Sequence, residues 1–202
     1  PADRYNGTVT FNDRDAEYQV NQVWLYLERK VDECSSCWDV GGRIDFVYGT
    51  DARFIQARDG LESDWGQTAP FYQVALPQAY VDVSRDGWTV RAGRFFTVLG
   101  CESPMAPDNF FYSHSYAMQY GEPLTHFGVL GMRQMGRAMF TAGIHRGNDQ
   151  FDDTDGLDAL NFIGGLSMTS CDERMTGAFA FTATEEGPNT TSYIHSMVAT
   201  MQ

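Results

Sequence analysis

Ala75-Leu76-Pro77-Gln78-Ala79-Tyr80-Val81-Asp82-Val83-Ser84-Arg85-Asp86-Gly87-Trp88-Thr89-Val90-Arg91-Ala92 reads as two strands joined by a two-residue turn. Successive side chains on a strand point to opposite faces. Ala75, Ala79, Val81 and Val83 therefore oppose Gln78, Tyr80 and Asp82. Asp86-Gly87 tolerates positive φ at both central positions, as a tight hairpin demands. Past the turn, Trp88, Val90 and Ala92 share one face, with Thr89 and Arg91 on the other. Gly93 is expected to mark a bulge, because Arg94 breaks the alternation. Charges in mid-strand on one face, with aliphatic groups on the other, are hard to place in a dry core. They suit a sheet whose polar side is wet.

The same pattern extends in both directions. In Val20–Arg29, Val23, Leu25 and Leu27 oppose Gln22, Trp24, Tyr26 and Glu28; in Val40–Tyr48, Ile44, Phe46 and Tyr48 oppose Arg43 and Asp45. Thr125–Met132 pairs with Ala138–Ile144 across Gly136, where Phe140, Ala142 and Ile144 oppose Thr141 and His145. Phe162–Met168 pairs with Thr176–Thr184, where Phe179 and Phe181 oppose Ala180 and Thr182. Ser192–Met201 forms a ninth strand of ambiguous parity. The gaps alternate. Lys30–Cys37, Ser84–Gly87, Gln134–Gly136 and Ser170–Arg174 are short; Gly49–Pro70, Gly100–Pro123 and Gly147–Leu160 are long. A soluble sandwich has no reason to keep its long connections at one end. A bacterial outer-membrane barrel does, with tight periplasmic turns and long external loops. The fold expected is all-β: an antiparallel up-and-down transmembrane β-barrel. It is incomplete, with about nine strands of a larger barrel, because single-chain barrels close on even counts.

Composition narrows the function. Lys and Arg total 14 against 27 Asp and Glu, a net charge of −13, so nucleic acid is not expected as a partner. At 14% aromatics the chain is too rich in large rings for an acidic disordered segment. No run approaches about 18 consecutive apolar residues, so no transmembrane helix is expected. A mean hydropathy of −0.36 is compatible with a barrel, whose strands average lipid-facing and polar sides. The opening Pro1-Ala2-Asp3-Arg4 carries no signal peptide.

Ala106-Pro107-Asp108-Asn109-Phe110-Phe111-Tyr112-Ser113-His114-Ser115-Tyr116, then Tyr120-Gly121-Glu122-Pro123 and Thr125-His126-Phe127-Gly128-Val129-Leu130, resemble the OmpL-like β-barrel porin-2 family. So do Tyr5–Arg14, Asn21–Arg29 and Cys37–Arg43, so the likeness runs over nearly the whole chain, as one domain over 1–202. The resemblance implies an outer-membrane pore of a Gram-negative bacterium, and a longer parent. It makes 1–18 an extracellular loop region and puts the short gaps in the periplasm.

The pore-lining residues expected are Arg43, Asp45, Gln78, Tyr80, Asp82 and Arg91; a buried ion-pair network in a plugged barrel is the alternative. The connection at 100–124 is the expected constriction loop, through Glu102, Asp108, Asn109, Tyr112, His114 and Glu122. Its aromatics are expected to anchor it to the wall. Neutral external packing of the same loop is the plainer reading. Cys34 and Cys37 are the disulfide candidates in an oxidising compartment, a bridge to Cys171 in another turn on the same rim is the alternative, and Cys101 is left as a free thiol. The acidic run 148–156 lacks the closing Glu of a calcium loop and reads as solvated. No metal-ligand spacing, cofactor motif or catalytic signature is present, so the chain is read as a non-enzyme with no cofactor.

The expected function is passive diffusion of small polar solutes or ions across the cell outer membrane. Outer-membrane lipid and lipopolysaccharide are its surroundings, and a homo-oligomer its assembly. The rivals are a soluble barrel binding an apolar ligand inside and a structural outer-membrane protein with a blocked lumen. They differ in which face is wet: Ile44, Phe46 and Phe140 face lipid in a pore and pack together in a soluble barrel.

Overall fold

The computed structural model describes residues 5–6, 9–14, 18–33, 36–62, 64–65, 71–111, 113–151, 160–187 and 190–201. Ten strands form: β1 (Val23–Arg29), β2 (Asp39–Gly49), β3 (Gln73–Ala75), β4 (Ala79–Arg85), β5 (Trp88–Phe96), β6 (Thr125–Met135), β7 (Ala138–Asn148), β8 (Asn161–Thr169), β9 (Met175–Gly187) and β10 (Thr190–Met201). They make one antiparallel sheet in the order β1-β2-β4-β5-β6-β7-β8-β9-β10, with β3 beside β2. The sheet is up-and-down and not closed: β1 and β10 are its edges. The nine long strands are those the alternation predicts, and β3 is the addition.

The β4–β5 turn has the predicted form, with φ of +51° at Asp86 and +77° at Gly87. Two expectations of parity fail nearby. Ala75 is not on the face of Val81 and Val83. It pairs with Val47 and is fully buried, whereas Ala79 pairs with Ile44. Three steps along β2 (47 to 44) thus face four across from it (75 to 79). The extra residue falls at 76–78, around Pro77, which has no N–H to give the ladder. Gly93, in turn, is not a bulge: its register is unbroken against both β4 and β6. It has a φ of +131°, and a Cβ there would collide with the Ala79 carbonyl, so close strand approach explains the glycine.

Tyr80, Phe95, Leu130, Ile163 and Ala180 share one buried cluster with Leu99, and Ile194 packs against it. Residues from β4 to β10 therefore meet, which requires the sheet to curl with this face inside. The opposite face is apolar and bare. Leu27 is 72% exposed, Val81 52%, Phe46 42%, Phe140 45% and Phe162 57%, while Asp45 on the inner face is 0% exposed. Ile44 lies outside with them and Arg43 is partly buried inside. Water-soluble monomers seldom bare contiguous apolar surface beyond a few hundred Å². In β10, Tyr193 and Met197 take the bare face and Ile194 the inner one, which settles its parity.

A second cluster caps the end that carries the long connections. It joins Phe11, Val47, Ala75 and Met118 to the short helix α1 (Ala52–Ile55). Among the described residues no helix is long and apolar enough to cross a membrane.

Candidate functional site

The inner face of β1–β5 carries a row of ion pairs. Arg43 grips Asp45 with two bonds, Nε–Oδ1 at 2.6 Å and Nη2–Oδ2 at 2.8 Å. Asp45 also accepts from Trp24 Nε1 at 2.8 Å and from Gln78 Nε2 at 3.3 Å. Glu28 lies 3.8 Å from the far side of Arg43, whose guanidinium sits 4.3 Å from the ring centre of Tyr26. One strand along, Arg91 grips Asp82 with two bonds of 2.9 Å and stacks 3.7 Å from the Tyr80 ring centre. Arg43, Asp45, Gln78, Tyr80, Asp82 and Arg91 thus stand together on one face. Each of the four charges among them is matched by an opposite one. Buried carboxylates are tolerated only with such partners.

The connection after β5 runs inward. Leu99 is buried in the inner cluster, and Val98 lies over Gly165 of β8, where a Cβ would touch it. The Gly100 N–H donates to Ser196 Oγ on β10 at 3.0 Å. The chain then reaches the opposite edge. Gln22 Nε2 donates to the Pro104 carbonyl at 2.8 Å, and Gln22 Oε1 accepts from Ala106 N at 3.0 Å. Arg43 Nη2 lies 3.5 Å from Met105 Sδ. Residues 98–106 therefore span the inner face from β10 to the start of β1.

The expected constriction residues divide by role. Asn109 is consumed inside the loop, accepting from Ser103 N at 2.8 Å and donating to the carbonyls of Ser103 and Met105. Glu102 accepts from Ser115 N at 3.0 Å and meets His114 Nδ1 at 3.2 Å. Burial raises its carboxyl, but these bonds outweigh burial and hold it below the ordinary range. Burial, helped by the charge of Glu102, pushes Glu122 up instead. Asp108 is exposed. Tyr112 lies outside the described residues.

The two phenylalanines do not anchor the loop. Phe110 and Phe111 pack edge-on against each other and are 94% and 71% exposed. Aliphatic Val98 and Leu99, at the root, provide the anchorage with Met118. Sequence order hid this, because those residues look like the end of β5.

Two further groups were not foreseen. Arg94 is 1% exposed and bonds Glu62 at 2.5 Å, the carbonyls of Leu76 and Ile55 at 2.9 Å, and Thr125 Oγ1. It pins the connection between β2 and β3 against the wall. His126 and His145, both buried, face each other with Nδ1 atoms 3.3 Å apart. Their outer nitrogens meet Thr97 and Thr182, so a polar chain links the loop root to β9.

Asp149 is buried rather than solvated: its carboxylate accepts from the N–H groups of Leu124 and Thr125, and burial raises its pKa. The acids at 152–158 lie outside the described residues, as does Cys34 of the disulfide candidates. Cys37, Cys101 and Cys171 are exposed. Among the described residues no group of three or more His, Cys, Asp or Glu side chains could hold a metal ion.

A family model described as "Putative beta-barrel porin-2, OmpL-like" matches residues 1–202. A search of curated proteins returned no match, and neither did a search of solved structures. The chain belongs to that family of β-barrel porins.

Proposed function

We propose that this chain forms the wall of a non-enzymatic outer-membrane channel for passive diffusion of small polar solutes or ions. The observation that carries the reading is the inside-out sheet crossed on its inner face by its own connection. Bare apolar residues suit lipid on one side, and the other side carries matched charges of which Arg43 and Arg91 stay partly exposed. Residues 98–106, with the acids that follow, narrow that space.

The dimensions support a membrane span. Trp38 lies on the bare face at the turn end, and Tyr48, stacked on Tyr72, at the loop end. Ten residues at about 3.3 Å each separate the two. With strands tilted by about 45°, that makes about 23 Å of height, close to the apolar band of outer-membrane barrels. In this reading the turn end is periplasmic and the long connections, with residues 9–14 packed among them, face outward.

Selectivity follows from pairing. The wall charges cancel in place, whereas 97–123 carries Glu102, Asp108 and Glu122 and no Lys or Arg. The channel therefore has a mild cation preference. In planar bilayers under a salt gradient, Glu102→Gln, Asp108→Asn and Glu122→Gln together are expected to move the reversal potential towards zero. An unchanged potential removes the constriction. A blocked lumen is the second reading, favoured by the loop's grip on both edges. It predicts insertion without any single-channel conductance.

A further inference from the structure

The hairpin registers set four side chains in a row on the bare face at the turn end. Arg85 pairs with Trp88 across β4–β5, and Trp88 pairs with Arg133 across β5–β6. Trp38, just before β2, continues the row, with the Arg85 guanidinium 5.2 Å from its ring centre. The Arg133 guanidinium is 4.7 Å from the ring centre of Trp88. Tryptophan and arginine thus alternate across the rim. Both indoles stay exposed, Trp38 at 67% and Trp88 at 50%.

The charges are under-matched. Arg85 shares an exposed ion pair with Asp86 at 3.1 Å, and Arg133 has no acidic partner among the described residues. A guanidinium laid on a ring keeps its edge of N–H donors open, and that planar fork fits two phosphate oxygens. Up the strands from this row stand Val90, next after Trp88 on that face, and Val129, one step farther past Gly131, both exposed. They offer an apolar track that a free phosphate ion cannot use. Indoles of this kind settle at headgroup depth.

We infer that Trp38, Arg85, Trp88 and Arg133 form a headgroup site for an anionic phospholipid of the leaflet at the turn end. Arg85 and Arg133 hold the phosphate, the indoles hold the guanidiniums, and Val90 and Val129 carry an acyl chain. The site rests on the membrane-spanning reading above.

Native mass spectrometry of the full chain, released from micelles holding equal phosphatidylglycerol and phosphatidylethanolamine, tests it. Both lipids present the phosphate, but the ammonium of phosphatidylethanolamine sets a like charge beside the two arginines. The wild type is therefore expected to retain phosphatidylglycerol with about tenfold preference. Arg85→Gln with Arg133→Gln is expected to abolish the preference. Arg85→Lys with Arg133→Lys keeps both charges and is expected to lose part of it, because the fork is gone. Equal retention of the two lipids by the wild type overturns the site. So does an undiminished preference in the Gln variant, or displacement of the lipid by millimolar inorganic phosphate. Flotation with vesicles of phosphatidylethanolamine alone separates the two ideas. Wild-type protein that floats but shows no preference sinks only the headgroup site; protein that floats with no vesicle sinks the membrane reading with it.

Discussion

Strands β1–β5 line the inner face with paired charge, whereas β7–β10 line it with Thr141, Gly165, Ile163, Ala180, Thr182 and Ser196. In strands β6–β10 the only Asp, Glu, Lys or Arg residues are Arg133, Arg146, Glu185 and Glu186. The connection after β5 settles its aliphatic root on the uncharged half, next to Gly165 and Ser196. On the charged half Leu99 shares its cluster with Tyr80 and Phe95, and the rest of the connection reaches Gln22 and Arg43. One half of the inner face carries the ion pairs, and the other carries the Gly165 and Ser196 contacts of the strap, residues 98–106.

The sharpest way to break the contrast is to unmatch one buried charge. Asp45→Ala leaves Arg43 partly buried without its main acid and is expected to destabilise the fold by about 3–5 kcal/mol. Thr182→Val, in the neutral half, forfeits hydroxyl bonds to Phe162 and His145 and is expected to cost about 1–2 kcal/mol. Denaturant midpoints in detergent compare them directly; equal losses would dissolve the distinction between halves. Leu99→Asp attacks the strap. A charge placed in the inner aliphatic cluster is expected to unseat 98–106 and raise single-channel conductance, with little change in heat-modifiable gel mobility. Unchanged conductance would show that the strap does not narrow the passage. Ser196→Ala removes one strap contact and is expected to cost about 1 kcal/mol, seen as more frequent current fluctuations at constant mean conductance. A quiet trace would assign the strap to its aliphatic root alone.

Alternation along single strands was enough to read the nine long strands and the sidedness of Ile44, Phe46, Arg43 and Asp45, because that signal is local. The Asp82–Arg91 pair was within reach as well. A two-residue turn at Asp86-Gly87 fixes the register, and counting back from it places the two side by side. What escaped reading depends on contacts that no local period encodes. The extra residue at 76–78 shifts Ala75 to the other face without leaving a trace in composition. Glu62 and Arg94 meet 32 positions apart through a connection whose path only packing decides. Length and acids mark the connection at 100–124, but its anchors leave no local sign: Phe110 and Phe111 are exposed, and Val98 and Leu99 at its root are packed inside. The Trp–Arg row was invisible for a similar reason: its members are unremarkable singly and meet only through two successive registers.

The bond from Gly100 to Ser196 bridges 96 positions of chain. That tether has no partner until β10 has been laid beside β9, although Val98 and Leu99 meet theirs on β4 to β9. The Gly100 tether thus closes only once the β9–β10 hairpin has formed, and a delay there leaves the segment held by its root and by Gln22.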